Sequence, residues 1–216
     1  MPRSDLQGNV LIPFLGETLA SRNNHYLSLM TFTPFPVLET ERLLLRQLCN
    51  TDTADVFVMR SDPEVMQYIP RPLAVTHDDA AALIELMNNF IEKGEKINWA
   101  IAEKMNGKVI GIIGYVNLKH EHFRAEIGYS LSKAWHRQGY MREALARVLK
   151  YGFEHLNLHS IEAITDADNT ASGSLLLSIG FEQEAFFKED FYHNGQFRNS
   201  IHYGLLRSAA QSIGLF

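Results

Sequence analysis

One cysteine, Cys49, stands among 216 residues, so no disulfide can close within the chain, and a reducing compartment, the cytoplasm, is the default expectation. Long hydrophobic runs are missing too. Nothing approaches the roughly 20 apolar residues of a membrane span. Val10-Leu11-Ile12-Pro13-Phe14-Leu15 is short and broken by proline, so it does not read as the core of a signal peptide. Basic excess is absent: 20 Lys and Arg face 25 Asp and Glu, a net charge of −5. Phosphate backbones demand a basic surface, so nucleic-acid binding is not indicated. Histidines are present, but His120-x-His122 lacks further partners at ligand spacing, and no metal is expected. Internal repeats and low-complexity tracts are also missing. What remains is an apolar content of 46%, enough for a real core in one domain, with or without an extension.

The chain is organised around Trp135-His136-Arg137-Gln138-Gly139-Tyr140-Met141-Arg142-Glu143-Ala144-Leu145. A strand-like run, Ala125 to Leu131, precedes it. Met141, Ala144, Leu145, Val148, Leu149 and Gly152 then recur on one helical face, with Arg142, Arg147, Lys150 and Glu154 on the other. A strand entering a glycine turn and then a helix presents free N–H groups and the positive end of the helix dipole, an arrangement that binds phosphate. Gly139 lets backbone approach a ligand, and Arg137 and Arg142 add positive charge.

Around this centre, residues 1–36 show no sustained period and read as an extension or linker, with Met30 an alternative start. Leu38 to Gln47 reads as the first strand, and Asp52 to Arg60 as a short helix. Asp62 to Pro70 holds a further helical turn ended by Pro70 and Pro72. Thr76 and Asp79 make a capping-box start for a helix that Gly94 stops. Asn98 to Glu103 and Lys108 to Leu118 are strands joined by the hairpin signal Asn106-Gly107. Gly107, Gly111 and Gly114 lack the spacing of a dinucleotide fingerprint and fit that hairpin better. After the long helix, His159 to Asp166 is a strand, and Asn169 caps a helix ending at Gly180. Phe181 to Phe191 and Gln196 to Leu206 form a last hairpin around Asn194-Gly195. The expected architecture is mixed α/β: a largely antiparallel sheet of about seven strands flanked by helices. The main domain is expected over residues 37–208, with a tail from 209 to 216.

His136-Arg137-Gln138-Gly139-Tyr140-Met141 resembles the acyl-CoA pyrophosphate loop of the GNAT N-acetyltransferases, (Q/R)-x-x-G-x-(G/A). Histidine departs at the first position. Methionine at the last is familiar in the Rim-type branch, which resembles ribosomal-protein N-terminal acetyltransferases. Thr40-Glu41-Arg42-Leu43-Leu44-Leu45-Arg46 matches the opening of that branch, T-E-R-L-x-L-R. Asn169-x-x-Ser172-x-x-Leu175-Leu176-x-x-x-Gly180-Phe181 is similar to the second block of the family. The resemblance covers about residues 38–207. It implies a GNAT-like fold, acetyl-CoA as co-substrate and an amine acceptor: a protein N-terminus (possibly that of a ribosomal protein), or a small amine or antibiotic. A non-catalytic acyl-CoA-binding module is the alternative of another class. The protein would be a monomer or a homodimer.

The resemblance also implies roles. Backbone N–H groups from Arg137 through Arg142 would hold the pyrophosphate, and His136, Asn169 and Ser172 would border the cofactor. The edge of the Glu126 strand, Tyr129, Ser130 and Leu131, would pair with the pantetheine arm in a gap beside the next strand. One N–H of that edge would polarise the thioester. Glu126 would be the base, through water, with Glu189 and Asp190 in reserve. Leu176 stands where many members carry a tyrosine as the acid, which leaves Ser172 as the acid, its hydroxyl able to donate to sulfur. The loop expected to shape the acceptor pocket, Tyr68 to Thr76, carries no readable code.

Overall fold

The computed structural model of the protein describes residues 32–216, and expectations for residues 1–31 lie outside them. Among the described residues, eight strands form one open sheet in the order β1-β2-β3-β4-β5-β6-β8-β7. They are β1 (Leu38–Glu39), β2 (Leu43–Arg46), β3 (Ile97–Glu103), β4 (Val109–Lys119), β5 (Arg124–Leu131), β6 (Ser160–Asp166), β7 (Glu182–His193) and β8 (Gln196–Leu206). All neighbours are antiparallel except β5 and β6, which run parallel.

The strand beyond the expected seven arises at the start of the sheet. The run from Leu38 to Gln47 is not one strand, because Thr40 folds it back. Thr40 N–H donates to Leu43 O and Leu43 N–H to Thr40 Oγ1, each at 3.0 Å. A side-chain oxygen thus takes over a ladder bond, and β1 pairs with β2.

Helices cover both faces. They are α1 (Thr53–Arg60), α2 (Pro63–Met66), α3 (His77–Glu92), α4 (Tyr140–Glu154), α5 (Thr170–Ile179) and α6 (Arg207–Ser212). On one face α4 buries Met141, Ala144, Leu145, Val148, Leu149 and Gly152, the stripe read from the sequence. These join Trp99, Tyr115, Ile127 and Phe181 in the larger core. On the other face Val56, Met59, Ala80 and Ile84 of α1 and α3 pack over Ala100 and Ile112. The capping box of α3 is present, with Asp79 N–H donating to Thr76 Oγ1 at 3.3 Å and Thr76 N–H to Asp79 Oδ2 at 2.9 Å.

Both ends of the described chain pack on this frame. Phe32 is buried in the larger core, Phe35 meets Trp99 edge-on, and Trp99 Nε1 donates to Pro36 O at 2.7 Å. At the other end Arg207 donates to Phe153 O in the last turn of α4 and to Leu158 O beyond it, and Phe216 stacks on Phe153 at 5.1 Å.

Candidate functional site: a gap in the sheet and the turn that faces it

β5 and β6 pair only at Arg124↔Ser160, Ala125↔Ile161 and Glu126↔Glu162. Beyond that point β5 keeps its bonds to β4 as far as Leu131↔Gly111, while β6 stays with β8 as far as Asp166↔Ser200. The two parallel strands therefore diverge, and a gap opens between them. Ser132 N–H donates to Ile110 O at 2.8 Å, which sets the phase of the β5 main chain. By alternation Ser130 also points its main chain at β4, and Tyr129 and Leu131 point theirs at the gap. Of these gap-facing groups, Leu131 O accepts a bond from His136 Nε2 at 2.9 Å. Tyr129 N–H, Tyr129 O and Leu131 N–H are thus placed for an extended amide-bearing chain. Ser130 is not: its hydroxyl meets Met59 Sδ at 3.4 Å, under α1.

The turn into α4 sits beside the end of this strand. Arg137 and Gly139 adopt left-handed conformations, with φ of 59° and 81°. The first bond of the helix runs from Glu143 N–H to Gly139 O at 3.0 Å, so the N–H groups of Tyr140, Met141 and Arg142 precede it. Free N–H groups at the positive end of a helix dipole are an arrangement that suits an anion.

The side chains of the turn are mostly occupied elsewhere. Gln138 Nε2 donates to Ala134 O at 2.7 Å, Tyr140 Oη to Glu103 at 2.8 Å, and Met141 is buried in the core. The Arg142 guanidinium reaches Ser178 Oγ and O, at the last turn of α5, rather than standing free at the turn. Arg42, which the sequence reading left in a strand, is what braces the turn. Its Nη1 donates to Gln138 O at 3.0 Å and its Nε to Glu143 Oε2 at 2.6 Å. Glu143 also accepts from Thr40 Oγ1 and Arg42 N–H. Burial pushes the Glu143 carboxyl up, but these donors outweigh it and hold it below the usual range.

Glu126 lies at the point where the gap opens, on the sheet face opposite the Tyr129 side chain. It lines an open cleft of about 710 Å³ with Gly94, Lys96, Asn117, Leu118 and His120. Burial, then the negative charge of Glu162, raise its pKa, against a hydrogen bond from Asn117 and the nearby charges of Lys119 and His202. Glu162 itself is kept ionised. Burial opposes this, but Lys119 Nζ at 2.8 Å and Arg124 Nη2 at 2.8 Å outweigh it. Glu189 and Asp190 lie in an irregular part of β7, the outermost strand, with β6 and β8 between them and β5. Asp190 accepts from Ser200 Oγ at 2.6 Å.

On the opposite face α5 begins with Asn169 as its cap, Asn169 Oδ1 accepting from Ser172 N–H at 3.1 Å. The hydroxyl of Ser172 is left for Tyr129 Oη, 2.8 Å away. Burial is the main reason the Tyr129 phenol is pushed up to about 12. Beside them Tyr203 is buried against Gly173, where an added Cβ would lie 2.5 Å from its Oη. The loop from Tyr68 reaches this end of the gap, with Tyr68 Oη donating to Asp168 O at 3.2 Å. Arg198 braces the same turn through Asp166 and Asp168.

Of the residues named from the sequence, the edge of β5, the turn, Glu126 and Ser172 lie around the gap. Sequence reading missed Arg42, Glu143, Asn117, Glu162 and the Tyr129 hydroxyl, which are joined to the site only across the sheet. The T-E-R opening was the one available signal, for Arg42. Among the described residues no group of His, Cys, Asp or Glu could hold a metal ion, and no helix is long and apolar enough to cross a membrane.

A cradle for phosphate, a gap for an amide-bearing arm and a carboxylate at its opening together suit transfer from an acyl thioester. Comparison with known proteins agrees. The acetyltransferase (GNAT) domain family matches residues 42–182. An uncharacterized N-acetyltransferase of Bacillus subtilis, YoaA, is 35% identical over 161 residues, covering 74% of this chain and 91% of that one. The [ribosomal protein uS5]-alanine N-acetyltransferase of Escherichia coli is 26% identical, over 76% of this chain and 87% of its own. The spermidine N(1)-acetyltransferase of the same organism is 27% identical, over 73% and 82%. The crystal structure of a GNAT-family acetyltransferase from Bacillus anthracis superposes with a TM-score of 0.72 at 28% identity, covering 80% of this chain and 99% of that one. The chain belongs to the GNAT acetyltransferases, in the branch with the Rim-type enzymes, and is an acetyl-CoA-dependent N-acetyltransferase.

Proposed function

We propose that the acceptor is the α-amine of a protein N-terminus, acetylated by direct attack on the thioester. The pyrophosphate of acetyl-CoA sits on the N–H groups at the start of α4. The pantetheine arm follows Tyr129 and Leu131 through the gap, and one N–H of that edge polarises the acetyl carbonyl. Glu126 takes the amine proton, through water, and the Ser172 hydroxyl gives the departing sulfur a hydrogen bond.

The observation that carries this reading is the position of Glu126. It stands where the strands part, at the wall of an open cleft whose lining mixes Lys93 and Lys96 with Glu95. A polycation would favour a uniformly acidic wall, whereas a chain end fits a cleft open to solvent. Acceptor chemistry points the same way. An α-amine with a pKa of about 8 is about one-tenth neutral at pH 7, and a lysine is neutral about once in 2,500. An α-amine therefore asks less of a single carboxylate. The reading places the enzyme in the cytoplasm, in line with the free thiol of Cys49.

A small polyamine is the second reading, and the similarity to the spermidine enzyme favours it. Thiol release from acetyl-CoA with a panel of N-terminal peptides and polyamines separates the two. Turnover with peptides bearing a free α-amine, and none when it is blocked, is the expected result. Saturable turnover with spermidine alone would replace the first reading by the second.

A further inference from the structure

The gap holds a hydroxyl that no step above uses. Tyr129 Oη and Ser172 Oγ, 2.8 Å apart, join β5 to the first turn of α5 beyond the point where β5 and β6 separate. We propose that Tyr129 is a positioning residue for acetyl transfer: its phenol donates to Ser172 Oγ and leaves the serine hydrogen free to point at the departing sulfur. The inference rests on the reading of Ser172 given above.

Three observations support it. First, the Ser172 hydroxyl is not spent on a bond within its own helix. The cap of α5 uses its backbone N–H. Ser178 and Ser212, by contrast, donate their hydroxyl hydrogens to carbonyls three residues back, Leu175 O at 2.7 Å and Ala209 O at 2.8 Å. Second, a serine hydroxyl has one hydrogen and can also accept. Receiving a bond from Tyr129 uses the accepting side and orients the hydrogen. Third, burial keeps Tyr129 a phenol, with its pKa pushed up to about 12, so it stays able to donate. Tyr203, packed on Gly173 of the same helix, is close enough to act on the Tyr129 phenol.

The acidities set the type of help. A phenol near 12 does not surrender its proton to a thiolate whose conjugate acid is near 8.5. The electron pair of the breaking C–S bond collapses onto sulfur, and the pair stabilises that thiolate by an oriented hydrogen bond. The thiolate takes its proton from solvent, and the proton held by Glu126 returns there.

The test is a double-mutant cycle on the full chain. Tyr129→Phe is expected to lower kcat about tenfold, the worth of one oriented hydrogen bond, with KM for acetyl-CoA unchanged. The double variant with Ser172→Ala should be no slower than Ser172→Ala alone, because Tyr129 acts only through the serine. Multiplying effects, or wild-type kcat in Tyr129→Phe while Ser172→Ala is slow, overturn the inference alone. Wild-type kcat in Ser172→Ala overturns the reading beneath it. Should Tyr129→Phe melt below the assay temperature, 3-fluorotyrosine at position 129 keeps the bond but ionises at lower pH. The alkaline fall of kcat should then move to lower pH, and an unmoved limb counts against the proposal.

Discussion

Glu126 and Glu162 stand opposite each other as the last register pair before β5 and β6 part. Two carboxylates meet where the gap begins, and Glu162 is the one held in close ion pairs, with Lys119 and Arg124. The ionised Glu162 makes Glu126 harder to ionise, which suits a base that must pick up a proton.

The pH dependence follows from that asymmetry. Because burial and Glu162 raise the Glu126 pKa, kcat/KM should fall on the acid side through a pKa above the ordinary glutamate value of about 4.3. Glu162→Gln removes the neighbouring charge and should move that limb to lower pH. A raised folded-state pKa also means stability that is full below the unfolded pKa and lost as pH rises through the folded one. Glu126→Gln should therefore keep or raise the thermal midpoint at pH 7 while lowering kcat/KM by roughly 10²–10⁴-fold. An unmoved limb in Glu162→Gln would assign it to another group.

Ser172→Ala should lower kcat by roughly 10²-fold with little change in acetyl-CoA affinity. Its thermal midpoint should fall only modestly, because the helix cap uses the Ser172 backbone N–H and Asn169 Oδ1 and only the Tyr129 hydroxyl loses a partner. Tyr192→Phe is the comparison. Tyr192 is 63% exposed and pairs with Phe197 near the tip of the β7–β8 hairpin, so its kcat should match wild type. Steady-state rates with denaturation scans decide. A collapse in Tyr192→Phe beside an active Ser172→Ala would move the sulfur donor to that tyrosine.

Gly139→Val should weaken acetyl-CoA at least tenfold. At φ 81° a β-branched residue is strained, and relaxing the strain moves the N–H groups of α4 off the phosphates. Calorimetric titration of the folded variant checks it. Unchanged affinity would place the pyrophosphate elsewhere.

Arg42→Ala should raise KM for acetyl-CoA with kcat nearly unchanged, since Arg42 holds Gln138 O and Glu143 rather than any reacting atom. The ion pair is half exposed, so the stability cost should be about 1 kcal/mol or less. A kcat loss with KM intact would mean that Arg42 acts nearer the thioester.

A chain beginning at Met30 should fold and bind acetyl-CoA, because it keeps every contact described. One beginning at Val37 loses the buried Phe32, the Phe35 contact and the acceptor of Trp99 Nε1. It should lose about 2–4 kcal/mol of stability. Urea midpoints of the two decide, and equal midpoints would show that the segment adds nothing.

By itself the sequence determined the elements and their order, because local rules write them directly. The stripe of α4, the Thr76–Asp79 box and the Asn194-Gly195 turn each follow from spacing within a few residues. The glycine turn at the start of α4 was legible for the same reason, since a glycine turn before a helix is a local arrangement. The break of Leu38–Gln47 into two strands was not, because Thr40 competes with the ladder through its side chain. Nor was α6, whose six residues are too few to show a period. Only the tertiary structure brought Arg42 to Gln138 and Glu143, Glu162 to Glu126, and Tyr129 to Ser172. Those partners lie 96 to 101 residues apart for Arg42 and 43 for Tyr129, and what joins them is the sheet. Side-chain parity along β5 then sends Glu126 and Tyr129 to opposite faces of the gap, a consequence of strand geometry that no motif in the chain records.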